Sequence, residues 1–263
     1  MRPIISLLTD FGLTDSYVGE VKAVISTICP DAEIIDITHD VRKFDIRSGA
    51  FLLASAAPYF PKGTVHLAVV DPGVGSKRRP IAVETTRAHF VGPDNGLLIP
   101  AAEKQNILHV FELTNRSLMM EAVSSTFHGR DIFAPAAARL ACGANGSEFG
   151  AEISDYVKLS VGEPKFTNRH ITCEIIHVDR FGNLVTNIPG QALTKLGGRL
   201  VLSMRGRRIP AKLVNAYTDV EGKQVGFLVG GHGYVEFSCR ESSASRRLSL
   251  GCGDVLRIRL DEA

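Results

Sequence analysis

The strongest constraint on this chain lies near its start. Three short apolar runs, residues 3–9, 32–35 and 64–70, each stop at a carboxylate: Asp10, Asp36 and Asp71. Between the first two, Val18, Val21, Val24, Ile25 and Ile28 recur at helical spacing, and Cys29-Pro30 supplies the stop. Between the second and third, residues 45–59 carry Ala50, Ala54, Ala56 and Ala57, small enough for a helix to pack closely on a sheet. Strand, helix, strand, helix, strand with near-continuous apolar strands predicts a largely parallel sheet flanked by helices. In such a sheet the loops after the strands open on one edge, where ligands bind. The sequence thus places at least two acids around one crevice.

Further strands are predicted at 81–84, 89–91 and 107–113, with a turn at Pro93-Asp94-Asn95-Gly96 and a helix over 131–142. Residues 146–168, rich in Ser, Gly, Pro and charge, read as a linker wrapping across the surface. Beyond it come short β-type runs at 170–178, 184–188, 200–204, 209–214, 224–229, 234–239 and 255–260. They predict a small antiparallel barrel or sandwich. The expected organisation is an α/β domain over 1–160 and a smaller all-β barrel domain over 168–263.

Net charge is +2, without the basic stripe of a nucleic-acid binder. The clusters 205–208 and 246–247 read as solvated faces. No apolar stretch approaches the ~20 residues of a membrane span. Five cysteines without a C-x-x-C pair predict reduced thiols in a cytoplasmic protein, not a disulfide framework or zinc site. The first residues show no signal-peptide pattern. No G-x-G-x-x-G or Walker sequence supports a pyrophosphate cofactor.

Four segments carry candidate chemistry. In Thr9-Asp10-Phe11-Gly12-Leu13-Thr14-Asp15, Asp10 ends a buried strand and suits a ribose diol, while Asp15 is either a helix cap or a ligand contact. In Asp71-Pro72-Gly73-Val74-Gly75-Ser76-Lys77-Arg78, two glycines permit close backbone approach and Arg78 can return toward Asp71. A plain surface salt bridge is the alternative. Ser125-Thr126-Phe127-His128-Gly129-Arg130-Asp131 offers His128 as a catalytic candidate or a structural histidine. In Asp179-Arg180-Phe181-Gly182-Asn183, Phe181 can stack on a base and Asn183 can read its edge, or the segment is a hairpin corner with Phe181 in the core.

Together these segments, with 93–98 and 233–236, resemble the S-adenosyl-L-methionine (SAM) hydroxide adenosyltransferase family, the adenosine-forming SAM hydrolases related to fluorinase and chlorinase. The resemblance runs over essentially the whole chain. It implies an α/β domain, a β-barrel domain and a homotrimer, with SAM between the first domain of one subunit and the second of the next. It places a catalytic set on Asp71, Arg78 and His128. It gives Asp10 the ribose hydroxyls, puts Phe181 and Tyr217 either side of adenine with Asn183 in contact, and Asp179, with Asp15 as second candidate, on the methionine amine. Glu236 falls in the adenosine pocket and Phe44 on an aromatic wall. Gly231 stands where relatives often carry serine, and His232 where the fluorinase carries arginine. The methionine carboxylate then falls to His232 or to backbone amides.

The expected reaction is hydrolysis of SAM to adenosine and methionine, with no cofactor and no metal. The halogenases have tyrosine in place of Asp71, and the fluorinase has a long insertion where the interval 79–93 is short here. A carboxylate at 71 repels halide and favours water. A non-catalytic SAM or adenosine sensor is the alternative from another class. A metal-dependent phosphoesterase built on Asp10, Asp36, His39, Asp71 and His128 is a third reading.

Overall fold

A computed structural model of the chain describes residues 2–159, 162–168, 170–195, 199–204 and 207–260. The chain divides into two units, Met1–Leu159 and Ser160–Ala263.

The first unit is built on a six-stranded sheet. Its strands are β1 (Ile4–Thr9), β2 (Glu33–Thr38), β3 (Val65–Val69), β4 (Pro80–Thr85), β5 (His89–Pro93) and β6 (Ile107–Glu112), in the order β2-β1-β3-β5-β4-β6. Neighbours from β2 to β5 pair in parallel, and β4 runs antiparallel to β5 and β6. The sheet is largely parallel, as the strand–helix alternation predicts. The central strands are buried at five of six residues in β1 and all five in β3, because helices cover both faces. Helices α1 (Tyr17–Ile28) and α4 (Ala134–Ala141) join one core with Leu7, Leu67 and Phe133. Helix α2 (Ile46–Ala56) and the short α3 (Ile99–Glu103) join the other with Leu8, Phe90 and Leu97.

Several details differ from the sequence reading. Asp36 does not end its strand but lies within β2, because pairing with β1 continues to Thr38. The helix expected over 131–142 begins at Gly129 with a wide π-helical turn, Gly129–Phe133, before α4. Helix α3 carries no helical period because it is barely more than a turn long. Residues 146–159 do not drift as a linker: the Ala151 carbonyl accepts from the Glu112 amide, and the Ile153 amide donates to Val110, extending the sheet edge. Cys29 and Cys142, which cap the C-termini of α1 and α4, form a disulfide, against the expectation of reduced thiols. A sequence separation of 113 leaves no spacing signal for such a pair.

The second unit carries β7 (Lys165–Phe166), β8 (His170–Val178), β9 (Leu184–Pro189), β10 (Arg199–Met204), β11 (Arg207–Leu213), β12 (Val225–Val229), β13 (Tyr234–Ser238) and β14 (Val255–Leu260), with helix α5 (Ala244–Leu248). Strands β14-β10-β11-β12-β13-β9-β8 lie side by side, and β14 pairs with β8, closing a seven-stranded barrel. Closure removes the sheet edges. In β8 the alternating residues Ile171, Cys173 and Ile175 point inward, joining Leu184, Phe227, Phe237 and Ile258. The barrel is not wholly antiparallel: β11 and β12 run parallel, since residues 214–224 cross over between them. Arg205 of the basic cluster 205–208 lies outside the described residues. Among the described residues no helix is long and apolar enough to cross a membrane.

His66 sits on β3 in the first unit, fully buried, with its ring stacked on Phe90 and edge-on to Phe60. Its Nδ1 lies 2.6 Å from the Ser6 hydroxyl on the paired strand. Burial pushes the imidazole down to about 4 from its ordinary 6.5. The unfolded chain therefore takes up a proton that the fold refuses. Stability from this site is fully present above pH 6.5 and is lost as pH falls toward about 4. Across that window the effect approaches ~3 kcal/mol. Denaturant unfolding should thus lose stability more steeply in the native protein than in His66→Gln as pH falls through this range. Equal slopes would contradict this assignment.

Candidate active site

Three chain segments converge at the edge where β1 and β3 end. Asp10 follows β1 directly, the 71–79 loop follows β3, and residues 124–133 lead into α4. They line a cavity of about 320 Å³ that takes in Asp10, Asp15, Phe44, Asp71, Phe127 and His128.

Arg78 ties two of these segments together. Its Nε donates to Asp71 Oδ1 at 3.2 Å and its Nη2 to Asp71 Oδ2 at 2.5 Å, a bidentate pair. The Asp71 and Arg78 side chains are 5% and 7% exposed, so this is a buried ion pair and not a surface salt bridge. Arg78 Nη2 also lies 3.1 Å from His128 Nδ1. A guanidinium only donates, so Nδ1 must be the acceptor, and the neutral imidazole carries its proton on Nε2. Burial, and then the Arg78 charge, hold the His128 pKa below its ordinary 6.5. Arg78 Nη1 is buried with no acceptor among the described residues. The guanidinium carbon lies 5.3 Å from the centre of the Phe133 ring. Gly75, at φ 77°, lets the 71–79 loop press on the neighbouring one: a Cβ there would run into the Ser125 carbonyl.

Asp10 is held differently. Its Oδ2 accepts the Phe44 amide at 2.9 Å. Phe44 adopts φ 65° while 68% exposed, a left-handed backbone that costs a non-glycine residue about 1 kcal/mol. Asp15 does not cap α1. The cap position belongs to Ser16, whose side chain donates to Glu20, and Asp15 faces the cavity. Asp36 leaves the crevice altogether. Its carboxylate meets Lys22 at 2.7 Å and His39 Nε2 at 3.1 Å, while His39 Nδ1 reaches the Thr9 hydroxyl at 2.8 Å. Of the phosphoesterase set, Asp36, His39, Asp71 and His128 are engaged with charged or hydroxyl side chains and Asp10 with the Phe44 amide. Among the described residues no three potential ligands gather.

Sequence reasoning passed over an aromatic cluster. Phe11, Tyr17 and Phe127 meet edge-to-face, with ring centres 5.1–6.1 Å apart. Arg130 lies over Phe127 at 5.0 Å, bound by Glu20 at 2.8 Å and Asp131 at 2.7 Å. Burial opposes ionisation of Asp131, yet bonds from Arg130 and the Ser124 amide hold its carboxyl below the usual range. The clue was the spacing Phe127-His128-Gly129-Arg130-Asp131, read for its histidine and not for the pair that braces it.

The second unit presents its own cavity, about 920 Å³, lined in part by Asp179, Phe181, Asn183 and Tyr217. Asp179 accepts the Asn183 amide N–H and side-chain Nδ2, each at 2.8 Å. Since a carboxylate only accepts, the Asn183 side chain is oriented with Nδ2 inward and Oδ1 left as acceptor. Phe181, 79% exposed, stands on the corner and is not in the core. Gly182, at φ 85°, leaves room for Ser243, whose segment also lines the cavity; within 239–247, which departs from the family pattern, the sequence offered no more than a backbone contact to adenine. Glu236 is buried beneath Tyr217 and accepts its hydroxyl. Burial first, then Asp179, raise the Glu236 pKa. Gly231 and His232 lie on the turn between β12 and β13, outside this lining.

With this geometry in view, comparison with known proteins is specific. Residues 5–150 match the SAM hydroxide adenosyltransferase N-terminal domain, and residues 173–257 match the corresponding C-terminal domain. The chain belongs to the SAM hydroxide adenosyltransferase family. It is 42% identical to the (R)-S-adenosyl-L-methionine hydrolase of Salinispora tropica over 97% of both chains. A fluorinase from Nocardia brasiliensis is 25% identical over 98% of this chain and 97% of its own. An uncharacterised conserved protein of Thermotoga maritima has the same fold, with a TM-score of 0.91 and 38% identity over 97% of this chain and 99% of that one. Family membership accounts for a two-domain chain with a mixed α/β sheet followed by a closed barrel.

The strained backbone at Phe44 generates a stability prediction. Phe44→Gly removes the left-handed penalty, keeps the amide on Asp10 and forfeits little burial. It should gain about 1 kcal/mol in denaturant unfolding relative to Phe44→Ala. Equal stability of the two variants would show that position 44 is not strained.

Proposed function

We propose that this protein hydrolyses SAM to adenosine and L-methionine by in-line attack of water at the ribose C5′. One observation carries the reading: a buried guanidinium holds a carboxylate and a neutral imidazole at once.

The chemistry asks for little more. The sulfur of SAM is cationic and leaves as a neutral thioether. Water oxygen bonds to C5′ while the C5′–S bond breaks, and its electron pair returns to sulfur. The oxygen then carries excess positive charge until it loses a proton. Such an oxonium proton is strongly acidic, so a weak base suffices. His128 Nδ1 is occupied by Arg78 and Nε2 is protonated, so the imidazole serves as a donor that orients the water. Asp71 retains unshared lone pairs and takes the proton, passing it to solvent. Arg78 stays charged throughout and keeps the site neutral overall with Asp71. Positioning and fixed dipoles carry the rate.

For substrate binding, Asp10 keeps its second oxygen for the ribose diol, and Phe44 forms the wall beside it. The outward Asn183 Oδ1 suits the 6-amino group of adenine, with Phe181 and Tyr217 on its faces. Glu236 acts through the Tyr217 hydroxyl. Asp179 and Asp15 are assigned to the methionine amine, and His232 with the Gly231 backbone to its carboxylate. The proposal requires no cofactor or metal. It includes a cytoplasmic homotrimer in which the two lining sets come from different subunits.

The 42% identity to a SAM hydrolase against 25% to a fluorinase supports hydrolysis over halogenation, as does the carboxylate at 71. Incubation with SAM in ¹⁸O-water should give adenosine labelled at the 5′ oxygen. A 5′-halogenated nucleoside, or unlabelled adenosine, would refute the reaction. Arg78→Lys keeps the charge but loses the fork that grips both partners. It should lower kcat at least ~100-fold, on the scale of lost transition-state positioning, with SAM affinity within a few-fold. A binding-only sensor would show no turnover to lose.

A further inference from the structure

The turn Pro93-Asp94-Asn95-Gly96 touches neither cavity lining, yet it binds both ends of the 71–79 loop. At the near end, Asn95 Nδ2 donates to the Val70 carbonyl at 2.8 Å, one residue before Asp71. Asn95 Oδ1 accepts the Leu97 amide at 3.1 Å, which fixes the orientation of the side-chain amide. At the far end, Asp94 Oδ2 accepts from Arg79 Nε at 3.0 Å and Nη2 at 2.8 Å, one residue after Arg78. The Asp94 amide donates back to the Arg79 carbonyl at 2.9 Å. Asp94 is itself locked: its side chain is 3% exposed, and Oδ1 accepts the Val157 amide at 2.7 Å. Arg79 is completed by the Asp155 carboxylate at 2.8 Å and carbonyl at 2.9 Å.

From this arrangement, and resting on the hydrolysis reading above, we infer that Asp94 and Asn95 are positioning residues for the reaction: one turn fixes both termini of the loop and thereby sets the Asp71–Arg78 pairing. The loop between the anchors is tied by its own short turns, Val74 N–H to the Asp71 carbonyl at 3.3 Å and Ser76 N–H to the Gly73 carbonyl at 3.1 Å, so it moves as a unit that the anchors orient. Rotation about either anchor swings Asp71 or Arg78 relative to His128, which stands on a separate segment. The strands do not substitute for the anchors. β3 stops at Val69 and β4 starts at Pro80, and the β4–β5 pairing continues past Pro80 through the Asp94 amide and the Arg79 carbonyl, itself part of the far anchor.

Asn95→Asp tests the near anchor. It keeps the shape and the Leu97 bond but sets a carboxylate against the Val70 carbonyl. Asp94→Asn tests the far anchor, since one amide oxygen cannot serve both Arg79 and Val157. Each folded variant should lose at least ~10-fold in kcat with KM for SAM within about 3-fold, the mark of misplacement and not of weakened binding. In an Arg78→Lys background the same changes should cost no more than about 2-fold further, because the pairing they protect is already broken. Amide hydrogen exchange over residues 71–79 should quicken in both variants. Unchanged kcat in a folded variant, an undiminished loss in the Arg78→Lys background, or failure of both variants to fold would overturn the inference. If the native protein makes no adenosine, the hydrolysis reading fails, and the exchange measurement alone then decides whether the turn anchors the loop.

Discussion

A guanidinium cannot shed its charge, and Arg78 is almost entirely withdrawn from water. The surrounding fold must therefore bring acceptors to it, and an unmatched charge there would cost several kcal/mol. Asp71 supplies two oxygens and His128 one nitrogen. That requirement explains why a loop after β3 and a wide turn before α4, about 50 residues apart in sequence, are held in contact. The same requirement sets the state of the histidine. An imidazole facing a permanent donor stays neutral, with its proton on the far nitrogen.

The rest of the first unit can be read outward from this pair. The parallel strands end together, so Asp10 and Asp71 emerge on one edge. The π-helical turn at Gly129–Phe133 shifts the start of α4 out of regular register, as such turns often do at functional sites. Arg130 and Asp131 brace that turn against α1 through Glu20. Charge is matched locally at each step: Asp36 with Lys22 and His39, Arg79 with Asp94 and Asp155, Arg78 with Asp71. In the barrel, Asp179 performs the equivalent task with neutral partners by orienting Asn183.

Much of this was legible in the sequence, for identifiable reasons. The strands of the first unit announce themselves because a strand buried on both faces is a run of apolar residues. Those of the barrel do so as short β-type runs separated by turns, with clear alternation in β8. Asp71, Arg78 and His128 were recognised from loop chemistry and family resemblance. What stayed hidden depends on distance in the chain. The disulfide between Cys29 and Cys142, the Arg79–Asp155 contact and the packing of residues 146–159 on β6 join segments with no local signature. Asp36 misled because a strand end and an acid two residues short of it look alike in sequence. The tautomer of His128 has no signature in the sequence, since it depends on the distance to Arg78.

The central claim is that Arg78 fixes His128 as a neutral, Nε2-protonated donor. ¹⁵N NMR of the histidine side chains across the neutral pH range reads this directly. The account predicts an unprotonated, hydrogen-bonded Nδ1 and a protonated Nε2 on His128, with no imidazolium at pH 7, and loss of that fixed tautomer in Arg78→Lys. A doubly protonated ring at pH 7, or a proton on Nδ1, would contradict it.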